Sequence, residues 1–187
     1  MPKAIFPFDE LNAFKENLHR HFNEQGRIRS KKDCEDIIDE MLDLYLLALA
    51  NGVNIVNSKF NTVISLPNDV VDGIINKRID GATWRDRVWT WYATDGTEAD
   101  IARIAETETH RDGNEAAYET ARMAGATTKT WVTMGDEKVR DTHIYLEGVT
   151  VGIDDNFYTY DGDRAPAPGM FMSPENNCNC RCELDFE

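Results

Sequence analysis

Long apolar runs, basic clusters and catalytic signatures are all missing from this 187-residue chain. No hydrophobic stretch approaches the ~20 residues that cross a bilayer, so no membrane span and no membrane partner is expected. No run of Lys and Arg offers the dense positive charge with which a duplex-binding surface displaces counterions from phosphates. The chain instead carries 34 acids against 20 bases, a formal charge of −14. Direct DNA binding is therefore not expected. There is no Gly-x-Ser-x-Gly elbow, no glycine-rich phosphate loop, and no cysteine with a base beside it in sequence, which removes the usual starting points for acyl and phosphoryl transfer. Met1-Pro2-Lys3-Ala4-Ile5-Phe6-Pro7-Phe8 has one basic residue, two prolines and no apolar segment of secretory length. The expectation is a reducing cytoplasm, where the four cysteines stay thiols. Internal repeats and low-complexity runs are absent too.

What is present is helical first. Residues 9–22 repeat apolar side chains at Leu11, Phe14, Leu18 and Phe22, with Asp9 as the expected N-cap. A longer helix is predicted over 30–51, opened by Ser30 with Asp33 three residues on, and stopped by Gly52. Its stripe of Ile37, Ile38, Met41, Leu42, Tyr45, Leu46 and Leu49 is too wide for a surface helix. Burial against neighbours or a second copy follows. Further helices are expected over 53–60, 69–79 and 83–94, the last with Trp84, Val88, Trp89, Trp91 and Tyr92 as a core cluster. Thr97-x-x-Asp100 opens a helix through Glu108; Asp112-Gly113-Asn114 reads as a break, and helical character resumes over 115–124.

From Lys129 the pattern changes to strands and turns. Short β-like runs (Thr130-Trp131-Val132-Thr133, Val149-Thr150-Val151, Phe157-Tyr158-Thr159-Tyr160) are bounded by Gly and Asp turns, and the two prolines of 161–169 make a loop. The expected architecture is α+β: N-terminal helices over 1–95, followed by a small antiparallel β-rich C-terminal module in 96–187. The module is the more acidic part, with 12 acids and 5 bases in residues 129–187.

The ordered set Trp131, Asp136-x-x-Val139-Arg140-Asp141-x-His143, Leu146-x-Gly148, Phe157 and Asn179-Cys180-Arg181-Cys182 resembles the C-terminal domain of phage Mu F-like minor head proteins, the phage head morphogenesis family. The helix Ile101–Glu108 is similar to the arginine-threonine-glutamate helix that precedes that domain, with Glu106 where arginine is usual. The resemblance covers roughly residues 69–184. It implies a non-enzymatic virion component at or near the portal vertex, made in the host cytoplasm. Its partners would be the portal protein and other head proteins, its role head assembly, DNA packaging or delivery. The N-terminal helices offer faces for self-association.

Candidate chemistry concentrates at the two ends of this module. Cys178, Cys180 and Cys182 project to one side of an extended segment and, with His143, supply the donor types of a zinc site, although their one-residue spacing is closer than that of most structural zinc pairs. Buried thiols in a closing strand are the other reading. Arg140 and Arg181 are expected to pair with acids in a polar network that pins the Trp131 strand to the Cys180-Arg181-Cys182 strand, with His143 on a backbone carbonyl or the metal. The resemblance assigns no catalytic residue and no cofactor. The alternative is a metal-dependent hydrolase, a nuclease acting on DNA through Asp141, His143 and the cysteines. Against it, the C-terminal region has no second histidine, and His110 falls beyond the Gly113 break.

Overall fold

The computed structural model describes residues 7–187; residues 1–6 of the stretch read for a secretory signal lie outside them. The chain is α+β. Helix α1 (Phe8–Asn17) starts at Pro7, which makes no side-chain cap. Asp9, expected as the N-cap, sits in the first turn, where its charge faces the helix dipole while the fixed φ of proline sets the start. A 3-10 turn, Leu18–His21, leads to α2 (Lys31–Phe60), which Ser30 caps by accepting from the Asp33 N–H at 3.1 Å.

Two expected breaks are not breaks. Helix α2 passes through Gly52 and ends at Asn61, which takes the left-handed conformation at φ 53°. The reason is α5 (Glu98–Met123), which likewise passes through Gly113 without interruption. A Cβ at position 52 would lie 2.3 Å from the Gly113 carbonyl oxygen and 3.0 Å from the Ala117 nitrogen. Glycine here is the contact at which two long helices cross backbone to backbone, and the propensity cost of about 1 kcal/mol is outweighed by that packing.

Helix α3 (Asn68–Ile75) follows Pro67; α5 opens with the expected capping box at Thr97/Asp100, and α4 (Trp84–Ala93) with a second one at Thr83/Asp86. Trp84 is fully buried, donating to the Ile75 carbonyl at 2.9 Å and meeting the Tyr45 ring edge-on at 4.8 Å. Trp89, Trp91 and Tyr92 pack partly buried on the same core. Helix α5 is buried on nearly every side and feeds all three apolar clusters, through Ala105, Ala116 and Ala117. Its middle holds charge as well. Arg111, 1 % exposed, lies between Glu108 and Asp112, Arg87 reaches Glu108 from α4, and Arg111 also donates to the Ile74 carbonyl at 3.1 Å. Burial pushes Asp112 up to about 7 against the pull of Arg111.

The module after α5 consists of β1 (Thr128–Val132), the one-turn helix α6 (Asp141–Ile144), β2 (Thr150–Gly152), β3 (Phe157–Tyr158), β4 (Arg164–Ala165), the one-turn helix α7 (Pro174–Asn177) and β5 (Glu183–Phe186). Strands β2-β1-β5 form an antiparallel sheet with Thr130 opposite Thr150 and Trp131 opposite Leu184. The 161–169 loop contributes β4, which pairs with β3. Cys180-Arg181-Cys182, read as a strand, is irregular backbone; the strand begins one residue later at Glu183. Alternation along β1 turns Lys129 and Trp131 together into the core.

Candidate metal centre

His143 is delivered by α6, whose turn is closed by the His143 N–H on the Arg140 carbonyl at 2.9 Å. The two cysteines come from the segment between α7 and β5. That segment turns inward at Asn179, left-handed at φ 54°, whose N–H donates to Thr107 Oγ1 on α5 at 3.2 Å. Asn114 on α5 holds its other end, donating to the Cys182 carbonyl at 3.0 Å. Behind the imidazole stand Phe171, stacked at 5.2 Å, and Trp131, edge-on at 5.3 Å; Phe157 packs on Trp131 at 5.1 Å. Gly148, left-handed at φ 72°, returns the chain to β1 by donating to the Trp131 carbonyl at 2.9 Å.

The result is a buried three-donor cluster: His143 Nδ1 lies 3.6 Å from Cys180 Sγ and 3.5 Å from Cys182 Sγ, and all three donor atoms fall within 4.8 Å of one another. A tetrahedral zinc with about 2.3 Å to sulfur and about 2.05 Å to nitrogen puts its sulfur and nitrogen ligands about 3.5 Å apart. The donor set and its spacing fit that ion. The adjoining cavity, about 10 Å³, has room for one ion or one water. The hydrogen bond from the Cys182 thiol, with a second from His143, holds Cys180 well below the usual thiol range, and the same pairing pushes Cys182 up. A lowered thiol favours the thiolate, the form of cysteine that ligates metal. His143 Nε2 is buried with no hydrogen-bond partner, so the ring lacks the outer carboxylate or carbonyl that commonly orients a ligating histidine.

Several expected residues take other places. Cys178 stays outside the cluster, offering its backbone carbonyl to Arg140. Among the described residues Arg140 pairs with no acid; its guanidinium donates to the carbonyls of Asn176, at 2.7 Å, and Cys178. Arg181 does pair with an acid, bidentately with Asp136 at 2.7 and 2.8 Å. Asp141 is exposed at the start of α6 and does not join His143. His110, placed by the sequence beyond a break, is brought close enough to Cys180 for their charges to interact, and Asn114 Nδ2 lies 3.2 Å from its Nδ1. Burial lowers His110 to about 4, so it is neutral at pH 7, the form that ligates metal. The His110–Asn114 spacing of one helical turn was the available signal, hidden by the glycine between them.

A helical layer topped by a small antiparallel sheet, with a Trp131-backed His/Cys cluster closing the sheet onto α5, defines the class of protein. Residues 68–185 match the family described as Phage Mu protein F like protein, and the chain belongs to that family. It is 35% identical over 85 residues to minor head protein GP7 of Bacillus phage SPP1, covering 44% of this chain and 28% of that protein. It is 31% identical over 122 residues to NAD(+)–arginine ADP-ribosyltransferase EFV of Enterococcus faecalis, covering 63% of this chain and 25% of that one. The chain thus spans about a quarter of the length of these curated relatives. No solved structure matches. Among the described residues no helix is long and apolar enough to cross a membrane.

Proposed function

We propose that this chain is a minor head protein of a tailed phage or prophage, carried in the virion at or near the portal vertex, where it acts in head assembly and in DNA packaging or delivery. The observation that carries this reading is the family match over 68–185 together with the similarity to a phage minor head protein. Its role is assembly without catalysis. Polar residues in and beside the module hold backbone: Arg140, Asn114 and Asn177 all bond main-chain groups, and His143 is 1 % exposed behind aromatic rings. Asp141, the partner a hydrolytic His143 would need, is exposed and apart from it.

The similarity to the ADP-ribosyltransferase spans a quarter of that protein's length, and no activity is carried over from it. Zinc at His143, Cys180 and Cys182 would be structural, tying α6 and the 178–182 segment together.

Native mass spectrometry of the full chain, alone and with a phage portal protein, tests this reading. A defined complex with the portal is expected, and one zinc per chain. A chain that ignores the portal yet cleaves DNA in a His143-dependent manner would overturn it in favour of the hydrolase.

A further inference from the structure

Residues 129–187 hold only five bases, Lys129, Lys138, Arg140, Arg164 and Arg181. Folding brings three of them, Lys138, Arg140 and Arg181, to one cavity of about 560 Å³, and α1 adds Lys15 to its lining. Four cations thus converge in a chain whose formal charge is −14. One acid lines the same cavity, Glu106, and it is paired with Lys15 at 2.8 Å. Arg181 is neutralised by Asp136 at 2.7 Å. The other two cations meet no carboxylate among the described residues. Arg140 spends two of its five N–H groups on the neutral carbonyls of Asn176 and Cys178, which fixes the guanidinium plane without cancelling its charge. Among the described residues the exposed Lys138 ammonium has no ion-pair partner. Asn179 stands at the rim.

We propose that this cavity is a binding site for a compact polyanion, a ligand presenting two or three closely spaced oxyanions, either carboxylates of an acidic protein segment or phosphates of a small molecule. A pre-fixed guanidinium beside a free ammonium is the arrangement that recognises grouped oxyanions through charge-assisted hydrogen bonds. The surrounding surface selects for compactness. Outside the cavity the chain is acidic, so an extended polyanion such as duplex DNA is repelled along its length, whereas a short ligand meets only the local positive field. Because the cavity shares Lys138, Arg140, Asn179 and Arg181 with the wall of the His143 cluster, an occupant would also brace the 178–182 segment.

The test is isothermal titration of the full chain with a hexaglutamate peptide, with inorganic tripolyphosphate and with a 20-base-pair duplex. One-to-one binding of the peptide or of tripolyphosphate is expected, weakening as salt rises. Which of the two binds tighter tells an acidic protein segment from a phosphate source. Lys138→Glu, an exposed change that leaves the thermal midpoint unaltered, should weaken binding at least tenfold, since removing one charge-assisted contact alone is worth about tenfold in Kd. Lys31→Glu, on α2 and away from the cavity, should change it less than twofold. Three results each overturn the proposal: no binding of either small probe, equal losses in both variants, or tighter binding of the duplex than of both small probes.

Discussion

The helical layer and the C-terminal module meet the same requirement, satisfying buried backbone, by different means. In α2 and α5 each helix supplies its own hydrogen bonds, so the sequence needs only an apolar face and a place to cross, and Gly52 on Gly113 provides the crossing. The module has strands of two to five residues, too short to pair most of its backbone. Side chains take over. Asn177 bridges both backbone groups of Phe171, at 2.8 and 2.7 Å; Asp163 accepts from the Met172 and Ser173 N–H groups at 3.1 Å; Arg140 and Asn114 each hold carbonyls of the 176–182 segment. One region is therefore held by many interchangeable contacts, the other by a few polar residues that have no substitutes.

The sharpest way to separate the two is to withdraw the metal. If zinc sits at His143, Cys180 and Cys182, chelation or His143→Ala should strip hydrogen-exchange protection from β1, α6 and β5 by several kcal/mol, as structural zinc sites contribute folding energy outright. The α2 and α5 amides should keep theirs. Equal loss in both regions, or none in either, would contradict the division.

The converse experiment breaks the helical layer. Gly52→Ala places a methyl 2.3 Å from a carbonyl oxygen, and neither backbone can yield without separating the helices, so a loss of about 3 kcal/mol is expected in urea unfolding. Gly26→Ala, with nothing within 4 Å but a φ of +74°, should cost only about 1 kcal/mol. Next in size is Asn177→Ala, which orphans a buried N–H and a buried carbonyl of Phe171. A loss of about 2 kcal/mol is expected, unrelieved by Asn177→Leu, because shape is not what the site requires.

How much of this the sequence discloses follows the same division. Caps at Ser30 and Thr97 are legible because a cap is a local contract between residues three apart. Gly52 and Gly113 are misread as stops because the meaning of a helical glycine lies in its partner 61 positions away, which no local pattern carries. Trp131, His143, Cys180 and Cys182 are legible as an ordered motif, yet their pairing is a long-range fact. The motif shows which residues matter and not that Cys178 and Asp141 fall outside the cluster or that His110 approaches it. Arg140 looks like an ion-pair residue in sequence. Only the shortage of regular structure around it explains why carbonyls claim it instead.

Lys129 gives the smallest effect and the finest discrimination. Alternation with Trp131 carries it into the module's core, where its ammonium lies 4.3 Å from the centre of the Tyr118 ring and has no hydrogen-bond acceptor. Burial lowers it to about 8 from the ordinary 10.5. A base whose folded value is depressed contributes stability that is fully present above the unfolded value and lost as pH falls through the folded one, so at pH 7 the chain bears the cost of a buried charge. Lys129→Met keeps the unbranched stem and removes the charge, and should raise stability at pH 7 by about 1 kcal/mol, the cation–π contact offsetting part of the gain. The difference between the two proteins should shrink as pH rises from 8 towards 10.5, because the native lysine then loses its proton while methionine has none to lose. Urea unfolding of both at pH 7 and pH 9.5 measures it. A constant difference would mean that Lys129 acts through its shape. A larger difference at pH 9.5 would mean that its charge stabilises the module, which would make the Tyr118 contact the stronger of the two opposing effects.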